Sequence, residues 1–315
     1  MAVNLNAIST RDMDRNEWLM ERSKGIGGSD AGIILGLNKY KTPFELWLEK
    51  TGQVAPQEID NEAIYWGNEM EDVVAKEFEK RTDKKVRRSN FMYSHPEYPF
   101  IRANVDRLVV GESAVLECKT ASAYLDKEWK DDEIPATYLV QVQHYLAVTG
   151  KEKGYIAVLI GGNHFVWKEI ERDEELIQMI IDAEKHFWDY HVQQGHPPAL
   201  DGSSAAEKYL KEKYERAESE KEVVLSSDCK DYLLQYEQVK ADEKLIKQAR
   251  TEIENKLKAE LKDAEFGITD SFLVSWKNQT RNLVDTKALK EKFPEIYKQV
   301  IKPSYSRKFG VKEIG

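Results

Sequence analysis

Apolar residues along this chain recur at helical spacing, then at strand spacing, then at helical spacing again. Residues 14–22 (DRNEWLMER) predict a short helix, followed by the glycine-rich turn 24–28. Ser29 or Asp30 is placed to cap a second helix over 31–35. Pro43 suits the first turn of a third, which Gly52 ends. Within 62–81, Met70, Val73, Val74 and Phe78 mark one face of an amphipathic helix. The period then shortens. Residues 100–110 (FIRANVDRLVV) and 114–119 (AVLECK) predict two strands of a hairpin around Gly111-Glu112-Ser113. Pro135 precedes a helix over 138–148. Segments 154–160 and 164–170 predict two more strands around Gly161-Gly162-Asn163. Residues 173–194 predict a further helix, closed by Gly195 and Pro197-Pro198.

Asp201-Gly202-Ser203-Ser204 is the boundary signal, dividing the chain into a domain over 1–200 and an extension over 201–315. Beyond it Lys and Glu dominate. Val239, Ile246, Ala249, Ile253, Leu257 and Leu261 mark a face of a long helix that packs on the first domain, forms a coiled coil or meets a partner. Residues 272–276 and 307–311 predict strands around a helix capped by Asp285. Lys277, Arg281, Arg307 and Lys308 make either a basic edge toward DNA or ordinary solvated charge.

Composition narrows the classes. Hydrophobic residues are 41% and charged residues 33% of the 315, enough for a core under a solvated surface. Two cysteines, Cys118 and Cys229, exclude a disulfide framework and any four-cysteine metal or iron–sulfur site. His186 and His191 lack the spacing of a zinc pair and read as structural. No apolar run is long enough to cross a bilayer, and the first residues lack the layout of a secretory signal, so a cytoplasmic protein is expected. A net charge of -9 argues against non-specific coating of DNA. It leaves room for a DNA enzyme, because a carboxylate cluster holding a cation reverses the local sign.

Candidate chemistry centres on Leu116-Glu117-Cys118-Lys119. Side chains alternate in a strand, so Glu117 and Lys119 share one face while Leu116 and Cys118 share the other. Asp106, on the preceding strand, falls beside Glu117 in a suitable register. Two adjacent carboxylates favour a shared proton or a bound cation. Two acids plus the Cys118 backbone carbonyl make a partial oxygen shell for Mg²⁺, and Lys119 is placed to orient or deprotonate an attacking water. The competing reading is a salt bridge on a solvated sheet face.

The context resembles a family. Asp106 followed by Glu117-Cys118-Lys119 resembles the metal-binding core of the PD-(D/E)XK nuclease superfamily. Residues 22–40 (RSKGIGGSDAGIILGLNKY) resemble the start of the YqaJ-type viral recombinases, the branch that contains phage lambda exonuclease. Trp66-Gly67-Asn68-Glu69-Met70-Glu71 resembles that branch's acid-bearing helix, and 138–145 (YLVQVQHY) its helix after the catalytic strands. These motifs run in the family's order over about 15–190. The resemblance implies an α/β, restriction-endonuclease-like core, a central mixed sheet flanked by helices, with a C-terminal helical/α+β extension. It implies metal at Asp106, Glu117 and the Cys118 carbonyl, with Lys119 beside the water. Glu71 becomes an additional acid, with a second ion. Arg22 and Ser29 become the grip on a 5′ phosphate, Gln141 orders the site, and Tyr138 lies against the DNA with Tyr145 nearby. Each has a plainer alternative: a solvated charge for Glu71, an N-cap for Ser29, a core or rim aromatic for the tyrosines. Two departures stand out. Arg107 replaces the glycine common after the metal-binding Asp, either contacting DNA or pointing away, and Val105 replaces the usual proline.

The expected activity is a Mg²⁺-dependent 5′-to-3′ exonuclease on double-stranded DNA ends, with Mn²⁺ able to substitute. It leaves 3′ single strands for phage-type recombination. The resemblance also implies a ring-shaped homo-oligomer, a single-strand annealing protein as partner, and a bacterial cytoplasm with phage or prophage origin. The rivals are an endonuclease of the same superfamily and a non-catalytic DNA-end-binding or assembly protein.

Overall fold

A computed structural model describes residues 6–54, 62–131, 133–282, 284–302 and 307–312. The chain divides into two compact units, Met1–Tyr209 and Leu210–Gly315.

The first unit opens with strand β1 (Asn6–Ser9) and helix α1 (Arg15–Ser23), whose N-terminus is closed by a reciprocal pair of bonds between Asp14 and Glu17. Helix α2 (Gly28–Ile34) starts earlier than its sequence signals predict. Gly27 is the cap, and Asp30 lies inside the first turn, where its carboxylate accepts the Gly27 N–H at 3.0 Å. Helix α3 (Pro43–Lys50) has proline in its first turn and a Thr42–Glu45 box, as such a start requires. Helix α4 (Glu62–Thr82) buries Val74 and Phe78 but leaves Val73 exposed.

The stretch 100–110 is not one strand. It splits into β4 (Arg102–Asn104) and β5 (Arg107–Val109), which follow β2 (Val86–Arg88) and β3 (Phe91–Ser94) and belong to different sheets. β4 pairs with β3, which pairs with β1; β5 pairs antiparallel with both β2 and β6 (Ala114–Ala121). Val105 and Asp106 span the change of sheet. A short 3₁₀ segment, Ala123–Trp129, leads to helix α5 (Ala136–Thr149), ended by Gly150 at φ +65, a left-handed cap that suits glycine. β7 (Lys153–Ile160) pairs parallel with β6, and β8 (His164–Glu171) pairs antiparallel with β7. The main sheet therefore runs β2-β5-β6-β7-β8. Helix α6 (Glu174–His186) continues into a π-helical turn, Phe187–Gln193.

Both faces of this sheet are covered. Val115, Ile156 and Val158 pack with Val142 and Leu146 of α5, while Leu116, Cys118, Tyr155 and Ala157 pack with Val74 and Phe78 of α4. A strand buried on both sides must be apolar on both sides. Charged residues on it are therefore conspicuous.

Helix α7 (Ser204–Lys213) spans the division between the units. The second unit contains the 33-residue helix α8 (Cys229–Leu261) and an antiparallel pair, β9 (Phe266–Ile268) and β10 (Leu273–Ser275). Helices α9 (Thr286–Lys292), capped by Asp285, and α10 (Pro294–Val300) follow. The strand expected over 307–311 does not form; Arg307 instead donates to the Tyr214 carbonyl at 3.1 Å. Lys277 lies over the Phe266 ring, 4.4 Å from its centroid. Two of the four residues weighed as a basic edge or as solvated charge are thus engaged within the unit. No helix among the described residues is long and apolar enough to cross a membrane.

Candidate active site

Strand β6 is the centre of the site. Alternation puts Glu117 and Lys119 on its α5 face, and the Lys119 Nζ lies 2.6 Å from Glu117 Oε1. That face is not the solvated one of the competing reading. Helix α5 lies across it, so Glu117 is 2% exposed while the tip of Lys119 still reaches solvent. A carboxylate this deep needs partners. Gln141 of α5 supplies one: its Nε2 donates to Glu117 Oε1 at 2.7 Å and to the Tyr145 hydroxyl at 2.7 Å. One oxygen of Glu117 thus receives two donors. The other, Oε2, is buried and has none.

Asp106 sits where the chain leaves one sheet for the other. Its Oδ2 accepts the backbone N–H of Cys118 at 2.8 Å, which ties the carboxylate to strand β6 itself. Burial and the neighbouring Glu117 charge push its acid constant up to about 7. Burial opposes the charge on Lys119, but Glu117 and Asp106 outweigh it and hold the ammonium more firmly protonated than usual. The Cys118 thiol faces the α4 side and is raised by burial, so it presents no thiolate; the backbone carbonyl is that residue's useful group.

Glu71 lies on α4, and burial followed by the Asp106 charge raises its acid constant. It is nevertheless committed elsewhere. Arg107 binds both Glu71 and Asp72 and donates to the Asp106 carbonyl at 2.9 Å, and Arg88 lies 3.6 Å from Glu71. Among the described residues no group of three His, Cys, Asp or Glu side chains converges as a ready cage. Arg107 therefore points away from Glu117, to the α4 face of the sheet. It is buried, and it ties the strand of Asp106 to the helix of Glu71.

Tyr138 is half-buried, stacked on Trp129 with centroids 5.4 Å apart, and its ring centroid is 5.8 Å from Lys119 Nζ. Tyr145 is buried, and its ring backs onto α2. A Cβ added at Gly28 would lie 2.5 Å from the Tyr145 ring, so glycine is required there. On the adjoining turn Arg22 Nη2 donates to Ser29 Oγ at 2.7 Å. Arg22 is also 3.5 Å from Asp30, a carboxylate the sequence marked only as a cap. Asp30 is buried and paired with Lys50 at 2.8 Å; Lys50 also donates to the Gly25 carbonyl at 2.5 Å. Burial disfavours the Asp30 charge, but Lys50 and Arg22 overcome it and hold the acid constant far below the usual range. Sequence reasoning missed Asp30, Lys50 and Arg107 as site supports. The available signal was a lysine and an acid at otherwise apolar positions.

The mixed sheet, with the acid–acid–lysine set on its central strands, defines the PD-(D/E)XK nuclease fold. The exonuclease LHK-Exo bound to dAMP matches it with a TM-score of 0.50 at 23% identity, covering 64% of this chain and 98% of that one. The alkaline exonuclease from Laribacter hongkongensis without that ligand matches with a TM-score of 0.49 at 22% identity, over 64% and 98% of the two chains. The YqaJ-like viral recombinase domain matches residues 17–152. The protein YqaJ of Bacillus subtilis is 56% identical over 305 residues, 96% of each chain. This chain belongs to the YqaJ family.

Proposed function

We propose that the chain is a divalent-metal-dependent DNA exonuclease, degrading one strand of linear duplex from its 5′ end and leaving 3′ single strands for recombination. The observation that carries the reading is the lopsided environment of Glu117. Two donors converge on Oε1 while the buried Oε2 has no partner, beside a second carboxylate pinned to the same strand. A buried carboxylate oxygen without a donor is costly unless a cation completes it. The donor set of Asp106, Glu117 and the Cys118 carbonyl is all oxygen, which fits Mg²⁺, with Mn²⁺ as a substitute. Glu71, engaged by Arg107, stays outside this ligand set.

A bound divalent ion supplies charge neutralisation at the phosphate and a more acidic water. The protein's own groups do the rest. Lys119 stays an ammonium, donating hydrogen bonds to the phosphate and offsetting the charge that builds up in the transition state. Gln141 fixes the Glu117 rotamer through one amide nitrogen and reads the Tyr145 hydroxyl with the same group, so the acid cannot swing toward solvent. Arg22 and Ser29 offer a guanidinium and a hydroxyl to a terminal 5′ phosphate, and Tyr138 flanks Lys119 at the rim. A ring-shaped homo-oligomer and a single-strand annealing partner in a bacterial cytoplasm complete the proposal; they rest on family membership.

The test is linear duplex labelled at its 5′ or 3′ ends, and closed circular DNA, incubated with protein and Mg²⁺ or EDTA. Early release of 5′ label, intact circles and no release in EDTA are expected. Equal cutting of circles makes the protein an endonuclease, and no cleavage by folded, metal-loaded protein ends the proposal.

A further inference from the structure

Helix α8 carries a regular apolar stripe that its own unit leaves open. Tyr232, Val239, Ile246 and Ile253 recur every seven residues and are 59–69% exposed. Four residues after each come Tyr236, Glu243, Arg250 and Leu257. The combined spacing of four and three is the 3.5-residue period of a coiled-coil seam. Its outer positions are apolar, although Tyr236 is partly covered by the Phe309 ring at 5.8 Å. Its middle holds one acid and one base.

That central pair discriminates between arrangements. In a parallel pair of copies each seam residue meets itself, so Glu243 faces Glu243 and Arg250 faces Arg250. Both layers set like charges together in a partly desolvated seam, which costs stability. In an antiparallel pair with Ile246 opposite Arg250, Val239 falls opposite Leu257 and Glu243 opposite Ile253. Glu243 then lies three residues along the axis from the other copy's Arg250, about 4.5 Å of helical rise. The same register sets Asp242 beside Lys256 and Lys240 beside Glu254, and two-fold symmetry repeats each contact. Ala249 meets its own copy, where a small side chain lets the backbones approach. Lys247 also meets its copy, the one flanking repulsion of this register. The present ion pairs of these residues, Arg250–Glu254 at 2.8 Å and Lys256–Glu252 at 2.6 Å, are exposed and cheap to exchange.

We infer that α8 is an interface between two copies of this chain, packed antiparallel, with Glu243 and Arg250 setting the direction. The inference is independent of the nuclease reading and of the ring proposed with it, because a site-specific cross-link reports this one contact between copies. Full-length protein with Cys229→Ser keeps the buried Cys118 as its one native thiol. On this background Ala249→Cys should form a covalent dimer under mild oxidation, whereas Val239→Cys, far from its own copy in this register, should not. By sedimentation, Glu243→Arg should weaken association at least about tenfold, and Glu243→Arg with Arg250→Glu should restore it. Helicity by circular dichroism checks that each variant is folded. Cross-linking through Val239→Cys, which marks a parallel pair, would overturn the inference. So would no cross-link from either cysteine, which leaves the face to a different partner, or a double variant no tighter than Glu243→Arg.

Discussion

Replacing Asp106 by Asn should abolish a defined part of the protein's dependence on pH and metal. The Asp106 acid constant stands at about 7 in the folded chain against an ordinary 3.8. A group raised on folding contributes stability that is complete below the unfolded value and is lost as pH rises through the folded one. Metal-free protein should therefore weaken from about pH 4 to pH 7 and then level off. Three units at 1.36 kcal/mol each give about 4 kcal/mol as the ceiling. Asp106 is not fully covered, and water reaching it brings the figure nearer about 2 kcal/mol. A divalent ion binds the charged form, so Mg²⁺ or Mn²⁺ should recover this loss above pH 7 and recover little near pH 5. For a chain of this size about 2 kcal/mol corresponds to roughly 4–8 °C in Tm. The assay is thermal unfolding from pH 5 to 8.5, in EDTA and in saturating metal, for wild type and Asp106→Asn. Glu71, Glu184 and His144 are raised as well, with Glu71 and Glu184 driven by burial and His144 by Glu184 against burial, so the difference between the two proteins is the quantity to read. Equal slopes in EDTA for both, or an equal metal-induced rise at pH 8, would refute the argument that Asp106 and Glu117 share one cation-binding site.

Lys119→Ala should lower cleavage about 100- to 10,000-fold while leaving the metal-induced rise in Tm in place, since the ammonium acts on phosphate rather than holding the ion; single-turnover kinetics and calorimetry separate the two. Arg107→Ala should cost about 1–2 kcal/mol in urea unfolding, because partly buried Glu71 loses its partner while exposed Asp72 is screened by water; a loss below about 0.5 kcal/mol would show the pair to be ornamental. Arg22→Ala should erase the preference for 5′-phosphorylated over 5′-hydroxyl duplex, measured as a ratio of binding constants in Ca²⁺, and an unchanged ratio would place the phosphate elsewhere. Gly28→Ala should destabilise by about 1–3 kcal/mol through its collision with Tyr145, with cleavage falling further than the unfolded fraction explains.

What could be read directly from the chain is what local covalent geometry dictates. Glu117 and Lys119 share a face because strands alternate, whatever the fold, and the 2.6 Å pair follows from that. Helices α3 and α5 announce themselves through Pro43 and through the run before Gly150. The failures lie where a distant segment decides. Nothing between 100 and 110 marks a change of sheet, since Val105 and Asp106 suit a continuing strand; the break depends on β3 and β6 offering separate edges. The burial of Glu117 depends on α5 crossing the sheet, and no spacing within β6 encodes it. Arg107 looked free because its partners, Glu71 and Asp72, lie on a helix 35 residues or more away in sequence.

The same long-range contacts join the two halves of the candidate site. Gln141 bonds Glu117 and Tyr145 from a single nitrogen, and Tyr145 fills the space that Gly28 leaves on α2. One residue beyond Gly28 is Ser29, held by Arg22; beside it is Asp30, locked by Lys50. The proposed phosphate grip and the proposed metal ligand are therefore joined through packed, hydrogen-bonded groups. The buried Asp30–Lys50 pair makes physical sense only in that light. As a contributor to stability it is weak, since well-packed apolar residues would do as well. In the proposed site Asp30 is a fixed anion behind Arg22, paired with Lys50, that holds the guanidinium in place to meet a 5′ phosphate.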